Sequence, residues 1–442
     1  MFSRRDLARI IAPLIIQQLL AQFVGMADSI MVSSVGEAAV SGVALVDSIN
    51  SLFITIFTAL TTGGSVVTSQ FLGAKDYVSA NKSAKQLIYT TLTISLSIMT
   101  FSLLFRKSML RLIFGAIDEN VMECAQTYFL YTSLSFPFFS VYSCCAATFR
   151  SMGNSKISMY ASFLVNIINV IGNSLLIYVF KLGVAGAAIA TLVSRMSGMF
   201  LIVFLLRNKD NPVYVRKLFP IHLDFKIIKR ILNIGVPNGI ENGMFQFGRV
   251  ILQSMVSTMG TYAIAANAVA HNISGLQSVF GVTIGLASIT IVGQCVGAND
   301  KEQAKKYAKK LLRLTYICVF CAATTMMLLS KQIIGFYNLS PQSATICHHL
   351  LIMYGVVASL IWPLSFTLPN IFRAASDVKF PLMISLISMW LFRISLCFVF
   401  VHFGFGIYGI WIAMFCDWVF RALVYTTRFV KGTWLTKYKA LK

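Results

Sequence analysis

Charged residues are scarce in this chain of 442 residues, at 12% of the sequence, and only 15 residues are acidic. A soluble domain carries about a quarter charged residues, so this composition excludes an ordinary soluble protein. Apolar residues make up 57%, and the mean hydropathy is +0.76. The chain is long enough for about a dozen membrane-spanning helices of about 20 residues each.

The sequence also lacks the residue patterns of metal sites, disulfides and nucleic-acid binding. Its five histidines show no spacing typical of a metal site. The nine cysteines are an odd number and almost all lie in apolar stretches, so we expect no disulfides. The net charge of +22 does not form a basic patch interleaved with aromatic residues, which argues against a nucleic-acid partner. No nucleophile, metal cluster or acid pair marks a membrane-interface active site, so we expect no enzyme and no cofactor.

Twelve apolar runs predict twelve transmembrane helices. The first run has a basic start like that of a signal peptide, but it lacks a small-residue cleavage site, so we predict a retained first helix. The predicted spans are 10–33, 48–72, 86–105, 125–149, 157–180, 184–206, 233–258, 270–296, 311–330, 346–372, 380–403 and 406–427.

Lysine and arginine residues concentrate in alternate connections between these spans. With both termini placed inside, the inside segments hold 28 of them, the outside segments hold 5, and 4 lie within spans. Because positively charged loops stay in the cytoplasm, this distribution predicts a multi-pass membrane protein with both termini cytoplasmic. The chain begins close to its first span and carries no large soluble domain, so we expect a bacterial inner (plasma) membrane.

The two halves of the chain repeat each other. A shift of 224 residues places the loop Gln-Phe-Leu-Gly-Ala-Lys-Asp (70–76) on Gln-Cys-Val-Gly-Ala-Asn-Asp (294–300). After one deletion, a shift of 223 places Phe149-Arg150 on Phe372-Arg373. Six spans in each half insert with the same orientation, so the halves are predicted to be parallel repeats.

This repeat predicts an all-α membrane protein with twelve transmembrane helices in two pseudo-symmetric six-helix lobes and a central cleft. The predicted N-lobe covers 1–206, a cytoplasmic linker rich in Lys and Arg covers 207–232, and the C-lobe covers 233–442. Two lobes with a cleft between them suit alternating access, which favours a transporter, although a fold alone does not prove function.

The repeated motifs resemble those of the MATE (multidrug and toxic compound extrusion) family of the MOP flippase superfamily. The resemblance rests on Pro13, the turn Gly-Glu-Ala-Ala-Val (36–40), the Gln-x-x-Gly-Ala-x-Asp loops and Phe-Arg-x-x-Gly-Asn (149–154). It covers the whole chain and implies export of organic cations or other amphiphilic compounds in exchange for H⁺ or Na⁺. Small-molecule substrates, the lipid bilayer and a monomeric state are expected.

A polar cluster lies within the predicted spans of the N-lobe. Asp28 lies deep in the first span, and Asn166, Asn169 and Asn173 share one face of the fifth. Thr191 adds a hydroxyl from the sixth span. A charge at a helix centre in a bilayer costs at least about 2.5–3.5 kcal/mol, so Asp28 calls for a function. These oxygens suit a small desolvated cation or a proton-linked carboxylate; the alternative is an asparagine stripe that only hydrogen-bonds neighbouring helices.

The resemblance implies roles for these residues. One MATE branch has an aspartate fifteen residues after the bend proline of span one, which matches Asp28 after Pro13. That branch also has Asn-x-x-x-Asp in span five and a threonine eighteen residues later, which matches Asn169, Asn173 and Thr191. Because the second acid is Asn173 here, the branch's ion stoichiometry does not carry over. We predict ion coupling, with a possible Na⁺ site, at these four side chains.

The repeat provides an internal control for this cluster. The equivalent C-lobe positions carry apolar side chains, so the fold itself does not require the polar ones. The equivalents of Asp28, Asn169, Asn173 and Thr191 are Leu252, Phe392, Leu396 and Met414.

Different polar residues occupy the C-lobe. Glu241 lies one turn after Pro237 and is predicted to take part in ion coupling, with a structural pair to Arg249 or His271 as the alternative. Sodium-coupled MATE branches have such a glutamate together with an aspartate in span ten, but span ten has no acid here. Pro13 and Pro237 are predicted hinges. Predicted substrate-binding side chains are Gln17, Asn166, Asn238, Gln246, Asn267 and His271.

Asp417 and Arg421 lie one helical turn apart in the last span, which is typical of an ion pair. Arg393 is expected to join them or to reach an interface, and stabilisation is the favoured role.

These observations predict a secondary active multidrug efflux transporter that works by antiport. The runner-up is a lipid or lipid-linked oligosaccharide flippase of the same superfamily. Flippases generally carry extra spans or a strongly basic cleft, whereas this chain has twelve predicted spans and four intramembrane arginines.

Overall fold

The computed structural model describes residues 2–115, 118–216, 218–337, 339–436 and 438. These residues form helices and connections without any strand, so the all-α prediction is confirmed for the described part of the chain. Four lysines that entered the orientation prediction lie outside the described residues, as do the outermost ends of the predicted lobes. These lysines are Lys217, Lys437, Lys439 and Lys442.

The chain divides into two compact units, Phe2–Gly239 and Ile240–Lys442. The helices that begin in the first unit are α1 (Arg4–Ser33), α2 (Glu37–Gly73), α3 (Tyr77–Leu104), α4 (Arg106–Phe114), α5 (Glu119–Leu134), α6 (Phe136–Ser151), α7 (Ser155–Asn173), α8 (Gly183–Leu206) and α9 (Phe225–Ser257).

The second unit contains the end of α9 and seven further α-helices among its described residues. They are α10 (Thr261–Gly297), α11 (Lys301–Gly335), α12 (Pro341–Trp362), α13 (Leu368–Ala374), α14 (Lys379–Ile387), α15 (Ser395–His402) and α16 (Gly406–Lys431). Short π-helical segments continue α7, α12 and α14 at Ser174–Val179, Pro363–Thr367 and Ser388–Ile394.

The division between the units falls inside α9 because the first part of this helix packs on α2. A Cβ atom at Gly63 of α2 would lie only 2.5 Å from the carbonyl oxygen of Ile231, so glycine permits the two backbones to touch. The predicted linker is also tied to the first unit. The Tyr214 amide donates to Asn81 Oδ1 at 2.7 Å, and Gln86 Nε2 donates to the His222 carbonyl at 2.7 Å. The predicted lobe boundaries themselves stay a prediction.

Ten helical stretches of the described residues are long and apolar enough to cross a membrane. An eleventh results if α5 and α6, which meet at 45°, count as one span. The sequence predicts twelve, and the difference lies at the predicted seventh span. Residues 225–257 do form a helix there. It is not apolar enough to count among the spans, because Glu241, Arg249 and several amides interrupt its apolar residues.

The repeated loop motifs have the same backbone structure in both units. Lys75 and Asn299 adopt left-handed φ angles of 59° and 57° after α2 and α10. Asp76 and Asp300 then cap α3 and α11, each accepting a backbone N–H at 2.9 Å. A side chain that accepts at a helix start satisfies an otherwise unpaired amide, which explains why each copy of the motif ends in aspartate.

Candidate functional site

Three helices of the first unit position the predicted coupling residues. Asp28 lies on α1, Asn169 and Asn173 lie on α7, and Thr191 lies on α8; α7 packs against both other helices. The approach of α7 to α8 is close, because a Cβ atom at Gly172 would lie 2.9 Å from the Cβ atom of Ala190. The π-helical segment Ser174–Val179 starts directly after Asn173, and such segments occur often at functional sites.

The structure brings all four predicted coupling side chains together. Asn173 Nδ2 donates to Asp28 Oδ1 at 2.8 Å. Asn169 Nδ2 lies 3.3 Å from Thr191 Oγ1, and the Thr191 hydroxyl itself donates to the carbonyl of Ala187 at 3.0 Å. Asn169 and Asn173 are buried, whereas Asp28 and Thr191 are half-buried. The four residues therefore form one hydrogen-bonded cluster, the Asp28 cluster.

The amide of Asn169 can face Asp28 in two ways. When its nitrogen is turned toward Asp28, it lies 2.9 Å from Oδ1 and 3.0 Å from Oδ2 and donates to both. In the opposite orientation its oxygen faces the carboxyl group while its nitrogen donates to Thr191. An ionised carboxylate only accepts hydrogen bonds, whereas a protonated one also donates. The first orientation therefore fits an ionised Asp28 and the second a protonated one.

A second carboxylate of the first unit escaped the sequence prediction. Asp47 of α2 accepts hydrogen bonds from Tyr128 and Asn50, and it lies close enough to Asp28 and Arg195 to interact electrostatically with both. The predicted second span begins at residue 48, which left Asp47 in a connection. A signal was available, because Ala38–Val46 is already apolar and places Asp47 inside the run.

Arg195 has partners that the sequence did not identify. Its Nη1 donates to Ser135 Oγ at 2.7 Å, and its guanidinium lies 5.0 Å from the ring centre of Phe139. With Asp47 at interaction distance, this arginine reduces the negative charge near the Asp28 cluster.

Glu241 has a different partner from those considered in the sequence analysis. Its Oε2 accepts from Arg373 Nη2 at 2.6 Å and its Oε1 accepts from Ser385 at 2.7 Å, so Arg249 and His271 are not its partners. The first unit contains the equivalent arrangement. Arg150 donates to Ser158 at 3.2 Å, and Ser158 donates to Gln17 Oε1 at 3.0 Å. The repeat pairs Gln17 with Glu241 and Arg150 with Arg373; the arginine contacts Glu241 directly in the second unit, whereas Ser158 links it to Gln17 in the first.

The predicted substrate-binding residues are divided between the two units. Gln17, Asn166 and Asn238 belong to the first unit, and the others belong to the second. Asn166 Nδ2 is buried without a hydrogen-bond partner. Asn267 Oδ1 accepts from Trp411 Nε1 at 2.9 Å, while the His271 ring lies 5.0 Å from that of Trp411. Gln246 Oε1 lies 3.5 Å from Arg249 Nη1.

The two predicted hinge prolines lie inside unbroken helices. Pro13 lies in α1 and Pro237 lies in α9. Proline removes one backbone hydrogen bond and weakens a helix locally, so both positions remain predicted hinges.

In the second unit, the positions equivalent to the Asp28 cluster belong to an apolar core. Leu252 and Met414 are buried in that core, and Leu396 packs against it. Phe392 stacks on Phe420 with ring centres 4.3 Å apart. The asymmetry predicted from the repeat is thus present in the side-chain packing.

Ten or eleven apolar spans among the described residues, in a chain of two helical units, are those of a multi-pass membrane protein. The chain belongs to the MatE family, whose profile matches residues 13–175 and again residues 237–399. The second match begins 224 residues after the first, in the register of the repeat. As a member of this family the chain is a transporter and not an enzyme.

Similar proteins cover nearly the whole chain. An uncharacterized transporter, YisQ of Bacillus subtilis, is 27% identical over 96% of this chain and 94% of its own length. A probable multidrug resistance protein, NorM of Thermotoga maritima, is 24% identical over 98% of this chain and 93% of its own. A structure described as the outward-facing conformation of a multidrug resistance MATE family transporter has a TM-score of 0.91 at 21% identity, covering 98% of this chain and 96% of its own.

Proposed function

We propose that the chain exports organic compounds by antiport against protons, with Asp28 as the group that carries the proton. One observation carries the proposal: a single carboxylate is held by the amides of Asn169 and Asn173 between apolar helices, and its equivalent in the second unit is an apolar core. The names of relatives such as NorM support multidrug export.

Protonation of Asp28 would reorganise its cluster. The ionised carboxylate accepts from both amides, whereas the protonated form donates to Asn169 Oδ1 and turns its nitrogen to Thr191. This exchange changes the contact of α1 with α7 and α8. Because Pro13 weakens α1 fifteen residues earlier, we propose that α1 bends there, releases the substrate and couples to alternating access of the two lobes.

Sodium is the second candidate ion. It is favoured by Asn173 Oδ1, which is buried without a hydrogen-bond partner and could bind a cation together with Asp28. The contacts of 2.9 and 3.0 Å between Asn169 and Asp28 favour the proton. A bound cation of this kind needs six or more ligands, with oxygens at about 2.3–2.6 Å. To fit between Asn169 and Asp28, it would have to push the two side chains apart.

The test is export in inverted membrane vesicles under an imposed pH gradient or an imposed sodium gradient. Aromatic probes of both charges are offered, ethidium as a cation and pyrenesulfonate as an anion. We expect the pH gradient to drive transport, Asp28→Asn to abolish it, and Asp210→Asn in the exposed linker to leave it unchanged. Transport driven by sodium alone would establish the second candidate, and undiminished transport by Asp28→Asn would refute the role of Asp28.

We also propose that the protein works as a monomer in a bacterial plasma membrane with both termini cytoplasmic. The orientation is supported by the excess of Lys and Arg in the predicted inside segments, and the bacterial location by the organisms of the relatives.

A further inference from the structure

Two arginines contact one buried carboxylate within the second unit, and a third arginine lies near one of them. Asp417 of α16 lies 3.4 Å from Arg421 Nε and 3.9 Å from Arg393 Nη1. Arg393 lies close enough to Arg249 and Arg421 to interact electrostatically with both. We call these four residues the Arg249 cluster, and they carry a net charge of +2.

Their polar atoms are not satisfied by one another. Nε and Nη2 of Arg421, Nε of Arg393 and both carboxylate oxygens of Asp417 are buried without a hydrogen bond. Arg421 is only 2% exposed, so water does not compensate at its surface. A buried polar group without a partner is costly, and a single shared acid cannot neutralise three guanidinium groups. The cluster therefore carries positive charge and polar atoms that its own residues do not compensate.

The surroundings of the cluster are aromatic. The guanidinium of Arg421 lies 4.4 Å from the ring centre of Phe366 and 5.1 Å from that of Phe245. Trp418 packs edge-on against Phe366 at 5.4 Å, and its buried Nε1 has no hydrogen-bond partner. An unpaired donor and flat rings beside cationic groups suit a ligand with an anionic head and an apolar or aromatic body.

Arg249 gives this cluster an accessible side. It is exposed, and its hydrogen-bond acceptor is Gln246 Oε1 at 3.5 Å. His271 and Tyr354 interact electrostatically with both Arg249 and Arg393. Arg393 interacts electrostatically with Arg249, and the ion pairs of Asp417 are with Arg393 and Arg421. The anionic group can thus reach two guanidinium groups without displacing Asp417.

We propose that the Arg249 cluster binds the carboxylate, sulfonate or phosphate group of an amphiphile whose body packs on the neighbouring aromatic rings. Export of this amphiphile rests on the proposed function, whereas its binding to the Arg249 cluster does not. Guanidinium groups bind such anions through charge-assisted hydrogen bonds, and the apolar surroundings strengthen that attraction.

The binding test uses the full-length protein in nanodiscs of phosphatidylcholine, without any gradient. The probes are pyrenesulfonate and pyrenemethylammonium, which share one aromatic body, and the readout is energy transfer from tryptophan to pyrene. We expect the sulfonate to bind at least about tenfold more tightly than the ammonium. We expect Arg249→Gln and Arg393→Gln each to weaken the sulfonate at least about tenfold, as loss of a charge-assisted hydrogen bond should, and to leave the ammonium unchanged.

Arg195→Gln is the matched control, because it removes an intramembrane arginine from the first unit. Circular dichroism checks that each variant is folded, and the exposed Arg249 keeps the test valid if Arg393→Gln fails to fold. Equal binding of the two probes, or sulfonate binding that survives Arg249→Gln, would overturn the proposal.

A second arm identifies the source of the anion. Phosphatidylglycerol is added to the nanodiscs: displacement of pyrenesulfonate means that a lipid head group occupies the site, whereas retention means that a soluble amphiphile does. Binding by Asp28→Asn separates this inference from the proposed function. If the Asp28→Asn variant binds the sulfonate but exports nothing, both proposals stand. If the wild type exports ethidium under a pH gradient but does not bind the sulfonate, the anion site is refuted and the proposed function is not.

Discussion

At the scale of single residues, the proposed ion coupling depends on which side chain stands at a position that is apolar in the other half of the repeat. The packing that holds Leu252 and Met414 in the second unit is a helical core of ordinary composition. In the first unit the equivalent positions hold Asp28 and Thr191, which Asn169 connects. The fold therefore accommodates either set of side chains. Polar side chains inside a membrane cost free energy, so stability does not explain the polar set.

Replacing Asn173 by leucine should separate transport from stability. The variant Asn173→Leu removes the 2.8 Å hydrogen bond to Asp28, and a hydrogen bond to a charged group contributes about 1.5–3 kcal/mol. We expect gradient-driven export to fall at least about tenfold, while the purified protein stays folded and its unfolding temperature falls only by the few degrees that one lost hydrogen bond accounts for.

Asn166→Leu is the control for this experiment. Asn166 lies on the same face of α7, but its Nδ2 has no hydrogen-bond partner. Because Asn166 is predicted to bind substrate and not to couple the ion, its replacement should raise the substrate concentration for half-maximal export and leave the maximal rate close to that of the wild type. If both variants lose export equally, the asparagine stripe acts through helix packing rather than through Asp28.

Glu241 and Arg373 should respond differently to substitution. Arg373→Leu leaves a buried glutamate without its partner, which should destabilise the protein by about 3–5 kcal/mol. Glu241→Gln should cost about 1 kcal/mol and keep export, because glutamine already occupies the equivalent position 17 in the first unit, where Ser158 links it to Arg150. Thermal unfolding in detergent and vesicle transport measure the two effects. Loss of export by a stable Glu241→Gln variant would instead assign ion coupling to Glu241.

At the scale of helices and loops, the repeated motifs encode how one helix ends and the next begins. Lys75 and Asn299 turn the chain through the left-handed region, and the aspartate that follows caps the next helix. The motif was recognisable from sequence because it is local. The start of the second span and the polarity of α9 were harder to predict, since they depend on which side chains the rest of the unit buries.

Removal of these caps should lower stability without changing transport specificity. We expect Asp76→Ala and Asp300→Ala each to destabilise the protein by about 1 kcal/mol, the usual cost of a lost N-cap. Glu302→Ala is the control two residues further along, in the first turn of α11, because its exposed ion pair with Lys305 should contribute less than about 0.5 kcal/mol. If chemical unfolding shows equal losses in the free energy of unfolding for Asp300→Ala and Glu302→Ala, the cap contributes no more to stability than an exposed ion pair.

At the scale of the whole molecule, the repeat predicted more than hydrophobicity did. It predicted two similar halves and carried the motifs of the family resemblance, and as an internal control it showed that the polar residues around Asp28 have apolar equivalents in the second half. It could not reveal Asp47 near Arg195, nor the pairing of Glu241 with Arg373. Those contacts join residues on different helices, and their partners depend on helix rotation and depth, which a register between halves does not contain.

Side-specific labelling tests the predicted orientation of both halves at once. Four exposed lysines are replaced singly by cysteine in a Cys321→Ser background. Among the described residues, Cys321 is the exposed native cysteine. In intact cells, an impermeant maleimide should label Lys181→Cys and Lys331→Cys, which lie in predicted outside segments. It should label Lys156→Cys and Lys379→Cys only after lysis, because the Lys and Arg distribution places both inside.

The opposite labelling pattern would mean that both termini lie outside the cell. Labelling of Lys156→Cys without Lys379→Cys would be more damaging, since these positions are equivalent in the 223-residue register and parallel repeats must place them on one side of the membrane.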